Sequence, residues 1–165
     1  MFQNNAIIES FNELKYFGVV NVGNGVSGSR PFYNMANLKY ITMPYAMRNF
    51  GEISNCKALK KIIFNEGYTT TTYSMIHNMS GISLTFVFPS TLTTFGTNCF
   101  RDTGKRGNFV YIFKGNVGNF AELRSNAVPA AIYVPDQYFE NYQEYLNGYT
   151  QLGKLHRLSE YVESI

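Results

Sequence analysis

The residues with the strongest chemical suggestion are three glycines in Val19-Val20-Asn21-Val22-Gly23-Asn24-Gly25-Val26-Ser27-Gly28. An apolar run feeds into G-x-G-x-x-G, the spacing with which backbone amides cradle a phosphate. Dinucleotide chemistry needs more than this. A helix must open at the glycines, and a carboxylate must stand at the tip of the next strand, about 20 residues on. Here the glycines lead to Ser29-Arg30-Pro31, and the next strand-like stretch ends in Met43-Pro44. No Gly-Lys-Ser or Gly-Lys-Thr completes a P-loop. Glycines so close together also suit a turn of positive φ, and no nucleotide site is expected there.

Nucleophiles and metal ligands are sparse. The chain has two histidines, His77 and His156, and two cysteines, Cys56 and Cys99. If the chain folds as stacked units, His77 and Cys99 come loosely near each other, as a Cys–His nucleophile pair would require. Cys56 lies on an apolar ladder and Cys99 beside one, where a free thiol acts as a small apolar side chain. The cysteines have neither disulfide-framework nor zinc-knuckle spacing. Glu140 and Glu144 share a helix face, which reads as solvated surface, and Asn78-Met79-Ser80 spells a glycosylation sequon. The expectation is no catalytic residue, no cofactor and no metal.

Composition bounds the rest. A chain of 165 residues with 45% apolar, 15% charged and 16% aromatic residues can bury a core and is not disordered. Its net charge of +3 is too small to imply a polyanionic partner. The local clusters Lys57, Lys60, Lys61 and Arg101, Lys105, Arg106 read as solvated surface, so no nucleic acid is expected. No apolar run reaches the roughly 20 residues of a membrane span. The first residues lack the charged and apolar regions of a secretory signal. The chain is therefore expected at a cell surface or secreted if a signal was removed, and in the cytoplasm otherwise.

The elements that position these residues recur. Val20-Asn21-Val22-Gly23, Ile41-Thr42-Met43-Pro44, Ile62-Ile63-Phe64-Asn65, Phe86-Val87-Phe88-Pro89, Tyr111-Ile112-Phe113-Lys114 and Ile132-Tyr133-Val134-Pro135 share one strand-like pattern. Their last members step by 21, 21, 24, 25 and 21 residues. Upstream of each strand runs an apolar ladder of three-residue spacing: Ile8/Phe11/Leu14/Phe17, Phe32/Met35/Leu38/Ile41, Ile53/Cys56/Leu59/Ile62 and Ile76/Met79/Ile82. Weaker forms follow at Phe100/Thr103 and Leu123/Asn126/Pro129/Ile132. Alone, such spacing suits a helix face. In phase with a strand at a period above 20 residues, it predicts stacked units that share one core.

NCKALKKIIF and FYNMANLKYITMP carry a family resemblance. They resemble the BspA-like leucine-rich repeats of bacterial surface proteins, with Cys56, Leu59, Ile62 and Pro44 on the family pattern. STLTTFGTNCF is similar to the segment that follows the strand, with Phe95-Gly96 at its apolar-glycine pair. AIYVPDQYFENYQEYLNGY resembles the terminal unit, a last strand followed by a short helix. Gly23, Asn65 and Lys114 depart from the proline, and the unit around Gly104 to Asn108 is stretched. The resemblance implies an α/β fold, a right-handed solenoid of about six short units. It would form a single domain over 1–165, with repeats over about 8–135 and a C-terminal cap over about 136–165. Within the cap, Asp136 is placed as helix N-cap, Phe139, Tyr142 and Leu146 form the apolar stripe, and Asn147-Gly148 stops the helix.

Function is then sought on the surface. Strand alternation points the middle residues Asn21, Thr42, Ile63, Val87, Ile112 and Tyr133 away from the core. Four of these are large apolar groups where the family usually carries a small polar residue. Such a stripe marks a contact surface, unless the register slips or a neighbouring segment covers it. The expected function is a non-catalytic interaction or adhesion module that presents Thr42, Ile63, Val87, Ile112 and Tyr133 to a protein or glycan partner, with self-association as a specific form. The alternatives are a structural part of a larger intracellular or phage assembly and, more distantly, a cysteine-dependent enzyme.

Overall fold

The computed structural model describes residues 2–16, 19–21, 32–44, 46–48, 53–71, 76–77, 79, 81–95, 108–119 and 129–163. Its strands are β1 (Ser10–Phe11), β2 (Val19–Asn21), β3 (Phe32–Tyr33), β4 (Tyr40–Met43), β5 (Ala46–Arg48) and β6 (Ile53–Ser54). After these come β7 (Lys61–Phe64), β8 (Ile76–His77), β9 (Ser83–Phe88), β10 (Asn108–Phe113), β11 (Ala131–Val134) and β12 (Leu155–Arg157). One α-helix, α1 (Phe139–Tyr145), and short 3-10 turns complete the described elements.

The strands form a seven-stranded sheet in the order β1-β4-β7-β9-β10-β11-β12, a pair β2-β5 and a triplet β3-β6-β8. All the pairings are parallel. From β3 to β7 the chain visits the triplet, the large sheet, the pair, the triplet and the large sheet again. Tyr40, Lys61, Thr85, Val110 and Ala131 stand side by side, so consecutive units are offset by 21, 24, 25 and 21 residues. These offsets match the spacing of the apolar-x-apolar anchors.

The ladders fill the core because each contributes one layer to every neighbour. Phe32, Met35, Leu38 and Ile41 are buried, as are Ile53, Cys56, Leu59 and Ile62 above them, then Ile76 and Met79. In the triplet Phe32 stands opposite Ile53, and Ile53 opposite Ile76. Further along, aromatic rings replace the aliphatic stack. Phe64, Phe88 and Phe113 lie nearly parallel, with centroids 5.0 and 4.8 Å apart. Phe95 meets Phe88 edge-on at 5.0 Å.

A second ladder is polar. Asn4, Asn34 and Asn55 all hold a left-handed backbone, with φ of 60°, 54° and 57°. Asparagine tolerates this region better than most residues. Asn55 Nδ2 donates to Asn34 Oδ1 at 3.0 Å, and Asn34 Nδ2 donates to Asn4 Oδ1 at 2.9 Å.

Both ends differ from the expectation. The neighbour of β4 in the large sheet is β1, not Val20–Val22, and β2 pairs with β5 in another sheet. The first unit is thus longer than the others, with Ser10 opposite Tyr40. Asn21 therefore leaves the row of middle residues. At the other end β11 is not the last strand, because β12 pairs with it through Ile132 and Leu155.

The helix stripe packs inward, with Tyr142 and Leu146 buried and Phe139 partly so. Gly148 ends this segment with φ of 81°. Asp136 is not a side-chain cap. Its carboxylate instead accepts from Ser159 N at 3.2 Å and Ser159 Oγ at 2.7 Å, which ties the chain after β12 to the chain after β11. Those two acceptor contacts, with Arg157 nearby, hold the Asp136 carboxyl below its usual range.

Candidate interaction surface

In a sheet, neighbouring side chains on one strand point to opposite faces. Phe86, Phe88, Tyr111 and Phe113 belong to the core cluster, whereas Val87 and Ile112 do not. The pairing Thr42–Ile63–Val87–Ile112–Tyr133–His156 is continuous across six strands with no slip in register. These residues form one row on the face turned from the core.

That row is largely covered. Val87 and Ile112 are only 8% and 6% exposed although they lie outside the core cluster, and Ile63 and Tyr133 are half-buried. Thr42 is buried too, and its hydroxyl donates to Asn12 Oδ1 at 2.9 Å. Asn12 opens the 3-10 turn Asn12–Tyr16, which occupies the place that Asn21 was expected to hold. Tyr133 stacks on His156 at 5.3 Å and meets Tyr161 edge-on at 4.9 Å. Glu163 forms an ion pair with Lys61, on the opposite side of β9, β10 and β11 from the C-terminal strand. Partial burial is the largest influence on the Tyr161 phenol and pushes it above its ordinary value, while Lys61 acts in the other direction. The places of Asn12, His156, Tyr161 and Glu163 beside this row escape the sequence reading because these residues lie outside the repeated strands.

The chemistry-bearing residues are placed as follows. Cys56 is fully buried, and its thiol donates to Phe32 O at 3.0 Å. Burial pushes the Cys56 thiol up, with backbone groups of Met35 and Ser54 opposing this in part. A neutral, enclosed thiol is a poor nucleophile. In a Cys99→Ser variant, Cys56 is expected to react with a soluble disulfide reagent about 10³-fold or more slowly than in the denatured chain. Absorbance at neutral pH checks this, and prompt labelling of the folded chain would show an open thiol instead.

His77 lies in β8. Cys99, the glycines Gly23, Gly25 and Gly28, the sequon residues Asn78 and Ser80, and Arg101, Lys105 and Arg106 lie outside the described residues. Glu140 pairs with Arg157 Nη2 at 2.9 Å, and this guanidinium lowers its carboxyl below the ordinary range. Arg157 also lies over the Phe139 ring, 4.2 Å from its centroid. Among the described residues no group of three histidine, cysteine or carboxylate side chains is placed to hold a metal ion. Among them, too, no helix is long and apolar enough to cross a membrane.

No curated protein and no solved structure matches the chain. A family model does: the BspA type leucine rich repeat region matches residues 7–105, in six copies. The match covers more than half of the chain, and within it lie the ladders that stack Phe32 on Ile53 and Ile53 on Ile76. With strands in register at the repeat spacing and a family model over the same residues, the chain belongs to the BspA type leucine-rich-repeat family.

Proposed function

We propose that this chain is a non-catalytic interaction or adhesion module, which offers the outer face of its large sheet to a protein or glycan partner. Its units wind, in this reading, as a right-handed solenoid that forms one domain over 1–165. The supporting observation is the unbroken row Thr42, Ile63, Val87, Ile112 and Tyr133 on the face turned from the core. Rows of this kind supply aromatic and aliphatic anchors at fixed spacing, and a few such anchors carry most of an interface's energy. Family membership favours the same reading, since repeat proteins expose long, regular surfaces.

A screen of matrix proteins and glycans, run with the wild type and with Ile63→Lys, tests this function. A charge in the middle of the row is expected to weaken a genuine ligand at least about tenfold, through desolvation of the lysine. Equal binding by both proteins would place the contact elsewhere. Self-association through the row is a specific form of the proposal. Light scattering on the wild type and on Ile112→Lys decides it, and monomers in both at high concentration would remove it.

A further inference from the structure

The covered row has an occupant within the chain. After β12 the chain makes the 3-10 turn Leu158–Glu160, anchored by Ser159 on Asp136, and continues extended at Tyr161. Tyr161 then lies against Tyr133 on β11, and Glu163 reaches Lys61 on β7. Three strand spacings separate β11 from β7, about 14 Å at the usual interval. Two extended residues cover about 7 Å, and the long side chains of Glu163 and Lys61 supply the remainder. The segment therefore runs back over β10 and β9, the strands that carry Ile112 and Val87. Both side chains have low exposure although they are not part of the core.

The occupant also defines what the surface takes. Its contacts are an aromatic ring on Tyr133 and a carboxylate on Lys61, two residues apart along an extended backbone. Its grip is light, because Val162 is 83% exposed and the Glu163 side chain 66% exposed. Exposed ion pairs contribute little, so this segment belongs to the weakly held parts of the molecule.

We propose that the outer face is a docking site for an extended peptide segment with an aromatic residue two positions before a carboxylate, and that the chain's own Tyr161–Glu163 occupies it until a partner segment displaces it. This inference rests on the interaction-module reading and deepens it. A tethered occupant competes at an effective concentration in the millimolar range. Trans binding is thus suppressed in the wild type and released when the tail loses its two contacts.

The test uses the full chain and the double variant Tyr161→Ala/Glu163→Ala. The probe is the acetylated peptide Leu-Ser-Glu-Tyr-Val-Glu, matching residues 158–163, titrated by NMR with the Tyr133 ring as reporter. The variant is expected to bind it about tenfold more tightly than the wild type. Adding Lys61→Glu to the variant is expected to weaken that binding about threefold to tenfold, because a like charge replaces an exposed pair. A peptide ending in lysine in place of its last glutamate is expected to restore it. Thermal melts of all proteins establish that they are folded. In the wild type, hydrogen exchange at the tail amides is expected to rise with added peptide, which gives a readout free of any substitution.

Equal affinity for wild type and variant, or no peptide binding to the folded variant at millimolar concentration, would overturn the inference. A variant that gains association only with other copies of itself would overturn it as well. A screened ligand that binds wild type and variant alike, while the peptide fails, would leave the interaction module standing and remove only the peptide site.

Discussion

Replacing Phe88 by alanine is expected to destabilise the fold by about 3–5 kcal/mol. Phe88 is fully buried. Its ring stacks on Phe64 at 5.0 Å and on Phe113 at 4.8 Å, and meets Phe95 and Tyr111 edge-on. Alanine therefore removes partners from three consecutive units together. The lost transfer energy is joined by the cost of a cavity whose walls are rings pinned by their own strands. Phe88→Leu retains much of the volume, and its loss is expected to be well below that of alanine. Denaturant titration measures both, with unchanged slope if folding remains cooperative. In a repeat protein each unit contacts only its neighbours. The weakened centre can therefore also appear as a broadened or split transition. A loss under about 1 kcal/mol would mean that the flanking rings collapse into the space.

Gly115→Ala is expected to cost about 1–3 kcal/mol by overpacking. Gly115 is buried, and a Cβ there would stand 2.4 Å from Ser90 O and 2.9 Å from Ser90 Cα. Both are backbone atoms of the preceding unit, so no side-chain rotation relieves the contact. They are also held in place. Lys114 N donates to Phe88 O at 3.1 Å, and the Ser90 hydroxyl donates to Glu66 Oε2 at 2.8 Å. The same glycine anchors the cap, since the buried Tyr142 hydroxyl donates to Gly115 O at 2.7 Å. Separating the units at this point therefore strains the cap hydrogen bond as well. Gly118→Ala is the matched control, because its nearest contact would be Thr93 O at 3.8 Å. Thermal melts of the two variants are expected to differ by several degrees. Equal melting would show that the chain at Ser90 yields freely.

Much of this architecture was legible because its period is carried by residues that must be buried. Ile41, Ile62, Phe86, Tyr111 and Ile132 stand opposite one another in adjacent strands, at the offsets that the anchors display. Each position is apolar for one reason, the shared core, and so the pattern survives loose spelling. The first unit was misplaced because Val20 has the composition of a core strand and the ladder Ile8/Phe11/Leu14/Phe17 leads towards it, whereas Phe11 itself is the strand residue opposite Ile41. Ser10–Phe11 forms only two residues of strand, too few for any alternation to show.

The polar ladder was legible in principle. Asn34 and Asn55 each follow the leading ladder residue by two positions, as Asn78 does in sequence, and that recurrence is the signal. The row of middle residues could be assigned to a face from alternation alone. Its cover could not, because Tyr161 and Glu163 belong to no repeat and reach residues 28 and 102 positions away. Asp136 illustrates the same limit. A carboxylate just after Pro135 suits a cap locally, but Ser159, far along the chain, supplies better donors.

The asparagine ladder has a consequence for how the units depend on one another. Its carboxamides align head to tail, each donating toward the N-terminal side, so the stack has a direction as a row of dipoles does. A left-handed backbone costs an ordinary residue about 1–2 kcal/mol, and here Asn4 and Asn34 are each steadied by the amide of the next rung. Removing Asn34 would strip Asn4 of its donor and Asn55 of its acceptor in one stroke. The units are thus fastened along a polar spine as well as through their shared interior, and a fault in one rung is felt by the layers on both sides.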